Sequence, residues 1–159
     1  MLSIKILLLL FIANGAPILL HKWLDRSYDL PVDFGVKWTD GKPLLGPSKT
    51  WRGIAGAVLA TTAASALLGL GANTGFAVGA LAMLGDVCSS FTKRRRGLPS
   101  SDMALGLDQI PEALLPLLWL KATFGLTIGM VLWLALAFFV LELAISRVLY
   151  WLNIRKQPY

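Results

Sequence analysis

The residues able to do chemistry in this chain are a few acids and cations set in apolar surroundings. Asp86 stands in LGDVCSSFTKRRRG, followed by Ser89 and Ser90 and then by four consecutive cations, Lys93, Arg94, Arg95 and Arg96. Asp108, Gln109 and Glu112 follow in LDQIPE. An ionised carboxylate in hydrocarbon is costly unless it is paired, hydrated or bound to a cation, so such acids are candidate functional groups. On a helix, Ser89, Ser90 and Lys93 share a face with Asp86, and Glu112 lies one turn beyond Asp108. A single cysteine, Cys88, and a single histidine, His21, leave no spacing for a zinc site. Any metal would therefore be held by oxygen, which suits Mg²⁺: it takes one or two carboxylates and completes its shell with water and phosphates. Upstream, GPSKTWRG delivers Ser48, Lys49, Thr50 and Arg52 to the start of a helix. Free N–H groups, the helix dipole and two cations there make an anion site, although the second Gly-Lys-Ser/Thr element of a Walker A loop is missing. Carboxylates for a metal beside cations for phosphates point to phosphoryl-type transfer. Plainer roles compete at the same positions. Asp86 and Asp108 could pair with Lys93 or Arg94 and only lock helices, and the Lys, Arg and Trp residues could simply snorkel. Pro111, lacking an N–H, either frees the Leu107 carbonyl beside Asp108 or introduces a simple kink.

The elements that must position these groups follow from composition. The 159 residues are 56% hydrophobic and only 15% charged, with mean hydropathy +0.67, which predicts an all-α integral membrane protein. Five spans are expected, over about 3–22, 53–71, 74–92, 102–120 and 122–151, in a single polytopic domain covering 1–159. Lys5 before a short apolar run, with ANGA after it, has the look of a cleavable leader, but the run continues through PILL and predicts a retained helix. Lys22, Arg26, Lys37, Lys42, Lys49, Arg52, Lys93 to Arg96, Arg147, Arg155 and Lys156 then fall on one side, and Lys5 and Lys121 on the other. This asymmetry predicts an N-terminus outside, a C-terminus in the cytoplasm, and a cytoplasmic loop over about 23–52 with a hairpin at Asp40-Gly41. Asp86 and Asp108 then lie level on antiparallel helices, each roughly 10 Å below the cytoplasmic surface. Gly75 and Gly79 form a GxxxG, and Gly56, Ala60 and Ala64 are spaced by four, which predicts close packing of spans two and three. The net charge of +6 reports loops facing anionic headgroups rather than nucleic acid.

In motif order, KTWRG before a helix, GD with KRRRG after it, and LDQ opening the next helix resemble the CDP-archaeol synthases and, more distantly, the CDP-diacylglycerol synthases (phosphatidate cytidylyltransferases). The likeness runs from Gly46 to about Leu118. It implies an Mg²⁺-dependent enzyme of the cytoplasmic membrane, with its site facing the cytoplasm, that condenses CTP with a lipid phosphate to give a CDP-lipid and pyrophosphate. Carried over by residue, Lys49 and Arg52 would hold CTP phosphates, Asp86 and Asp108 would bind Mg²⁺, and Lys93 and Arg94 would neutralise nucleotide or lipid phosphate. Asp86, Asp108 and Lys93 are thus the catalytic candidates. Ser48, Thr50, Ser89, Ser90 and Gln109 join the binding candidates. In one place the chain departs from the pattern: Pro111 stands where the family has a second acid, and Glu112 follows one position late as a substitute metal ligand. The lipid is expected to reach the site through a groove between spans three and four.

Two other readings fit parts of the sequence. A non-catalytic relative would bind CTP or lipid phosphate without turnover, prompted by Pro111. A small cation-coupled transporter would use the buried acids as a binding site, but both acids lie toward one face and no inverted repeat is present, so a homodimer would have to supply the symmetry.

Overall fold

The computed structural model describes residues 1–24, 29–100, 102 and 104–152. Arg26, Arg155 and Lys156, which contribute to the cation asymmetry, lie outside the described residues. Five helices follow one another: α1 Leu2–Leu24, α2 Trp51–Leu67, α3 Ala72–Arg95, α4 Gln109–Phe124 and α5 Ile128–Trp151. Three are long and apolar enough to cross a membrane, over Leu2–Leu24, Ala72–Arg95 and Ile128–Val148. Helix α2, with 17 residues, and α4, with 16, reach only about 25 Å, less than a typical hydrocarbon core.

Local chemistry sets the boundaries. Thr50 caps α2 by accepting from the Gly53 N–H at 3.2 Å, and Thr127 caps α5 by accepting from Met130. Helix α3 ends in a Schellman turn at Gly97 (φ 77°), where Gly97 N–H donates to the Arg94 carbonyl and Leu98 N–H to that of Lys93. Gly125 in the left-handed region closes α4.

The start of α4 differs from the sequence expectation. Residues 104–108 form turns around Gly106 (φ 79°), and the helix begins only at Gln109. Asp108 is therefore the residue at its mouth, not one six residues inside a span. Pro111 falls in the first turn of α4, where a missing N–H is more easily accommodated than in a helix interior. The interior proline is Pro116, whose missing N–H would otherwise have bonded to the carbonyl of Glu112.

Packing uses two kinds of surface. Ile6, Leu9 and Leu10 of α1, Val78 of α3, Leu117 and Leu120 of α4, and Leu134 and Phe138 of α5 form one apolar core, with Phe11 and Phe138 ring centroids 5.1 Å apart. Around Ala13, Ala57, Ala82 and Met83 a smaller core brings α1, α2 and α3 together. The GxxxG expectation holds here. A Cβ on Gly75 would lie 2.6 Å from the Thr62 Cα and would meet the Thr61 carbonyl, while one on Gly79 would lie 2.9 Å from the Val58 Cα. At the opposite end from the acids, Lys5 Nζ donates to the Leu68 carbonyl at 2.6 Å, tying the start of α1 to the end of α2. Asn14 bonds the Leu10 carbonyl of its own helix, satisfying itself locally.

Candidate functional site

Between α1 and α2 the chain forms a hairpin strapped onto the end of α3. Its tip turns at Gly41 (φ 76°), with Trp38 N–H donating to the Lys42 carbonyl at 2.8 Å and Leu44 N–H to that of Val36 at 2.9 Å, as the Asp40-Gly41 signal anticipated. Arg95 holds the tip: its guanidinium pairs with Asp40, donates to the Pro43 carbonyl and lies 5.2 Å from the Phe91 ring, against which Trp38 packs edge-on at 5.5 Å. At the base, Asp33 is buried. Burial opposes its ionisation, but N–H donors from Gly46, Leu45 and Gly35 outweigh that and hold its carboxyl below the ordinary carboxylate value.

The strapped loop delivers Lys49 to α3. Lys49 Nζ donates to Asp86 Oδ1 at 2.6 Å. On its other side Asp86 is in hydrogen-bonding contact with the Glu112 carboxyl of α4. Two carboxyls this close repel when both are ionised, and Lys49 supplies the compensating charge. What permits the contact is Gly85. A Cβ there would meet the Pro111 carbonyl oxygen of α4 and lie 2.7 Å from the Glu112 N. At this level the two helices are in direct backbone contact.

A second pair sits beside the first. Lys93 Nζ lies 2.7 Å from Asp108 Oδ1 and donates to the Asp102 carbonyl at 3.0 Å, while Asp108 Oδ2 accepts from Ala104 N–H at 3.0 Å. Lys93 acts electrostatically on Asp86, and Asp108 on Lys49, so the two pairs form one field. Arg94 is 5% exposed, feels Asp108 and Asp102, and its Nε has no hydrogen-bond partner. Glu142 of α5 acts electrostatically on Glu112.

The other candidates divide. Ser48 accepts from the Ser100 hydroxyl at 3.1 Å at the edge of the cluster. Ser89 donates to the Gly85 carbonyl of its own helix at 2.9 Å, and Ser90 is buried near it in the chain. Gln109 Oε1 accepts from Gly106 N–H at 2.9 Å, bracing the turn before α4. The Thr50 hydroxyl is engaged in the α2 cap. Arg52 pairs with Asp29 at 2.9 Å and lies 3.3 Å from His21 Nδ1, toward the end of α1. Among the described residues no group of three or more His, Cys, Asp and Glu side chains is arranged to hold a metal. The acid in contact with Asp86 is Glu112, whereas Asp108 is taken by Lys93. Sequence reasoning overlooked Gly85 and Asp33; Gly-Asp and Asp-x-Gly were the only traces.

The chain is similar to known proteins along its length. A family model described as CarS-like CDP-archaeol synthase matches residues 1–73 and 69–159. The CDP-archaeol synthase of Hyperthermus butylicus is 42% identical over 106 residues, 62% of this chain and 59% of that one. That of Pyrococcus horikoshii is 34% identical over 110 residues, 62% and 61% of the two chains. The chain spans about three fifths of the length of these two relatives. The CDP-archaeol synthase of Sulfurisphaera tokodaii is 36% identical over 135 residues, 81% of each chain. A solved structure described as an intramembrane enzyme for archaeal membrane lipid biosynthesis superposes with TM-score 0.72 at 32% identity, covering 91% of this chain and 92% of that one. An integral membrane protein with five helices and an acid-and-cation cluster at the joint of α3, α4 and the α1–α2 loop, the chain belongs to the CarS-like CDP-archaeol synthase family.

Proposed function

We propose that the protein transfers CMP from CTP to a lipid phosphate of the archaeal ether type, releasing pyrophosphate. The observation that carries this reading is the interleaved cluster: Lys49 with Asp86 and Glu112, beside Lys93 with Asp108 and a buried Arg94. In an otherwise apolar bundle such a cluster has the charges needed to gather anions. An oxygen of the lipid phosphate attacks the α-phosphorus of CTP, a new P–O bond forms, and the bond to the bridging oxygen breaks to release pyrophosphate. The attacking oxygen is already ionised at neutral pH, so no strong base is required. Bringing the anions together is the difficulty, and Lys49 and Lys93 answer it by exchanging their carboxylate partners for phosphate oxygens, with the buried Arg94 guanidinium adding its charge beside them.

The donor set fits Mg²⁺: two hard carboxyls in contact, with room in the ion's shell for water and phosphate. Asp86 and Glu112 would hold it, with Asp108 close by in the same field, and when bound it would neutralise charge on the transferring and leaving phosphates. Glu112 thereby takes the place of the acid that Pro111 replaces.

For the lipid, a path is offered by an apolar groove of about 540 Å³ between the start of α4 and α5, lined by Leu105, Gln109, Ile110, Leu132, Leu136 and Phe139 among others. Gln109 borders both this groove and Asp108, so a hydrocarbon chain lying there would bring its phosphate to Lys93 and Arg94. The cation asymmetry supports five crossings of the cytoplasmic membrane, an outside N-terminus and a site open to the cytoplasm.

The test is pyrophosphate release by purified protein with Mg²⁺ and CTP, adding in turn an archaeal-type ether lipid phosphate, phosphatidate and an isoprenyl phosphate. Release with the ether lipid phosphate is expected. Saturable CTP binding without release for any lipid would instead establish a non-catalytic binding relative.

A further inference from the structure

We infer that Asp33 is a positioning residue for the nucleotide end of the site, acting through the loop it anchors without touching substrate. The inference rests on the function proposed above. Asp33 lies outside every helix and is 5% exposed. All its recorded partners are backbone N–H groups. Oδ1 accepts from Gly35 at 3.0 Å and closes a local turn. Oδ2 accepts from both Leu45 and Gly46 at 2.9 Å, reaching across the base of the hairpin to the residues just before Pro47. Beside these bonds Val32 N–H donates to the Lys49 carbonyl at 2.8 Å, so the acid sits where the outgoing and returning chains meet.

The far side of the same backbone is equally confined. Gly46 has φ 94°, and a Cβ there would stand 3.2 Å from Ser100 Oγ and 3.5 Å from Arg94 Nη1. Gly46 is thus wedged between the Asp33 carboxylate and the Arg94 end of the cluster. Ser48 and Lys49, two and three residues on, inherit that placement. An ionised acceptor of several N–H bonds is a stiffer anchor than a neutral amide or water. A buried acid in a loop has no packing reason to be there, and no cation pairs with it among the described residues.

Asp33→Asn tests this directly, because the amide keeps one acceptor oxygen and presents N–H groups to the remaining donors. The KM for CTP is expected to rise about tenfold or more while that for the lipid phosphate stays within about twofold, as losing bonds to a charged acceptor at one end of the site requires. Hydrogen exchange should show the Leu45 and Gly46 amides losing protection, with the bundle's unfolding temperature unchanged. Gly35→Ala, which strains only the local turn at φ 77°, should move the CTP KM in the same direction by a smaller factor. An unchanged CTP KM in Asp33→Asn, retained protection at Leu45 and Gly46, or equal rises in both KM values with a lowered unfolding temperature would each overturn the inference. If the Asn variant does not fold, the Gly35→Ala arm decides by the same criteria. Should the wild-type protein show no lipid-dependent release, the functional reading fails by itself and the exchange measurement alone decides whether Asp33 orders the loop.

Discussion

At Asp86, one side chain serves two neighbours: it accepts from Lys49 at 2.6 Å and contacts Glu112 across the α3–α4 joint. A buried carboxylate in that position depends on positive charge, and in the proposed reaction it must keep its place while Lys49 turns to phosphate. Asp86→Asn keeps the shape and removes the charge. Turnover is expected to fall at least about 100-fold, the scale of losing one preorganised electrostatic group, while the unfolding temperature in detergent stays near that of the wild type. Full turnover in that variant would rule out the metal-holding role. The need for a buried acid followed by cations was legible in the sequence, because every neighbour is apolar. That Glu112 and not Asp108 would be its carboxyl contact, and that Lys93 would settle on Asp108 and not on Asp86, was left open. Both depend on where α4 begins, and that start is set by the turn at Gly106 and the proline in the first helical turn.

The element that makes the site possible is the close crossing of α3 and α4. Gly85 allows backbone to meet backbone there, and the carboxyls of Asp86 and Glu112 touch as a result. For Gly85→Ala the added methyl would lie 2.5 Å from the Pro111 carbonyl carbon, and backbone cannot yield as a flexible side chain can. Overpacking of this kind costs about 1–3 kcal/mol, so the unfolding temperature should drop by several degrees. Activity should drop with it, since the acids are pushed apart. An Ala variant that melts and turns over like the wild type would mean the helices do not pack this tightly. The GxxxG of α3 was readable because its four-residue spacing is itself a packing signal. Gly85 has no such partner in the sequence, and its role appears only when a second helix is laid against it.

For the molecule as a whole, the arrangement separates a charged mouth from an apolar flank and joins them at Gln109. Leu136 is 62% exposed, lines the α4–α5 groove and takes no part in the buried core, so Leu136→Trp should fold normally and obstruct only the flank. Its expected signature is a several-fold higher KM for the lipid phosphate with an unchanged KM for CTP, and an equal shift in both would place the lipid elsewhere. The sequence by itself determined the class of molecule, the order of five helices, the cation asymmetry and the identities of the charged residues that meet. These follow from composition and local spacing, which act over a few residues at a time. Tertiary structure alone decided which acid faces which cation, that the loop is anchored by Asp33, and that the apolar groove opens between α4 and α5. Each of those is a contact between segments far apart in the chain, fixed by how closely two backbones can approach, and no local pattern encodes that distance.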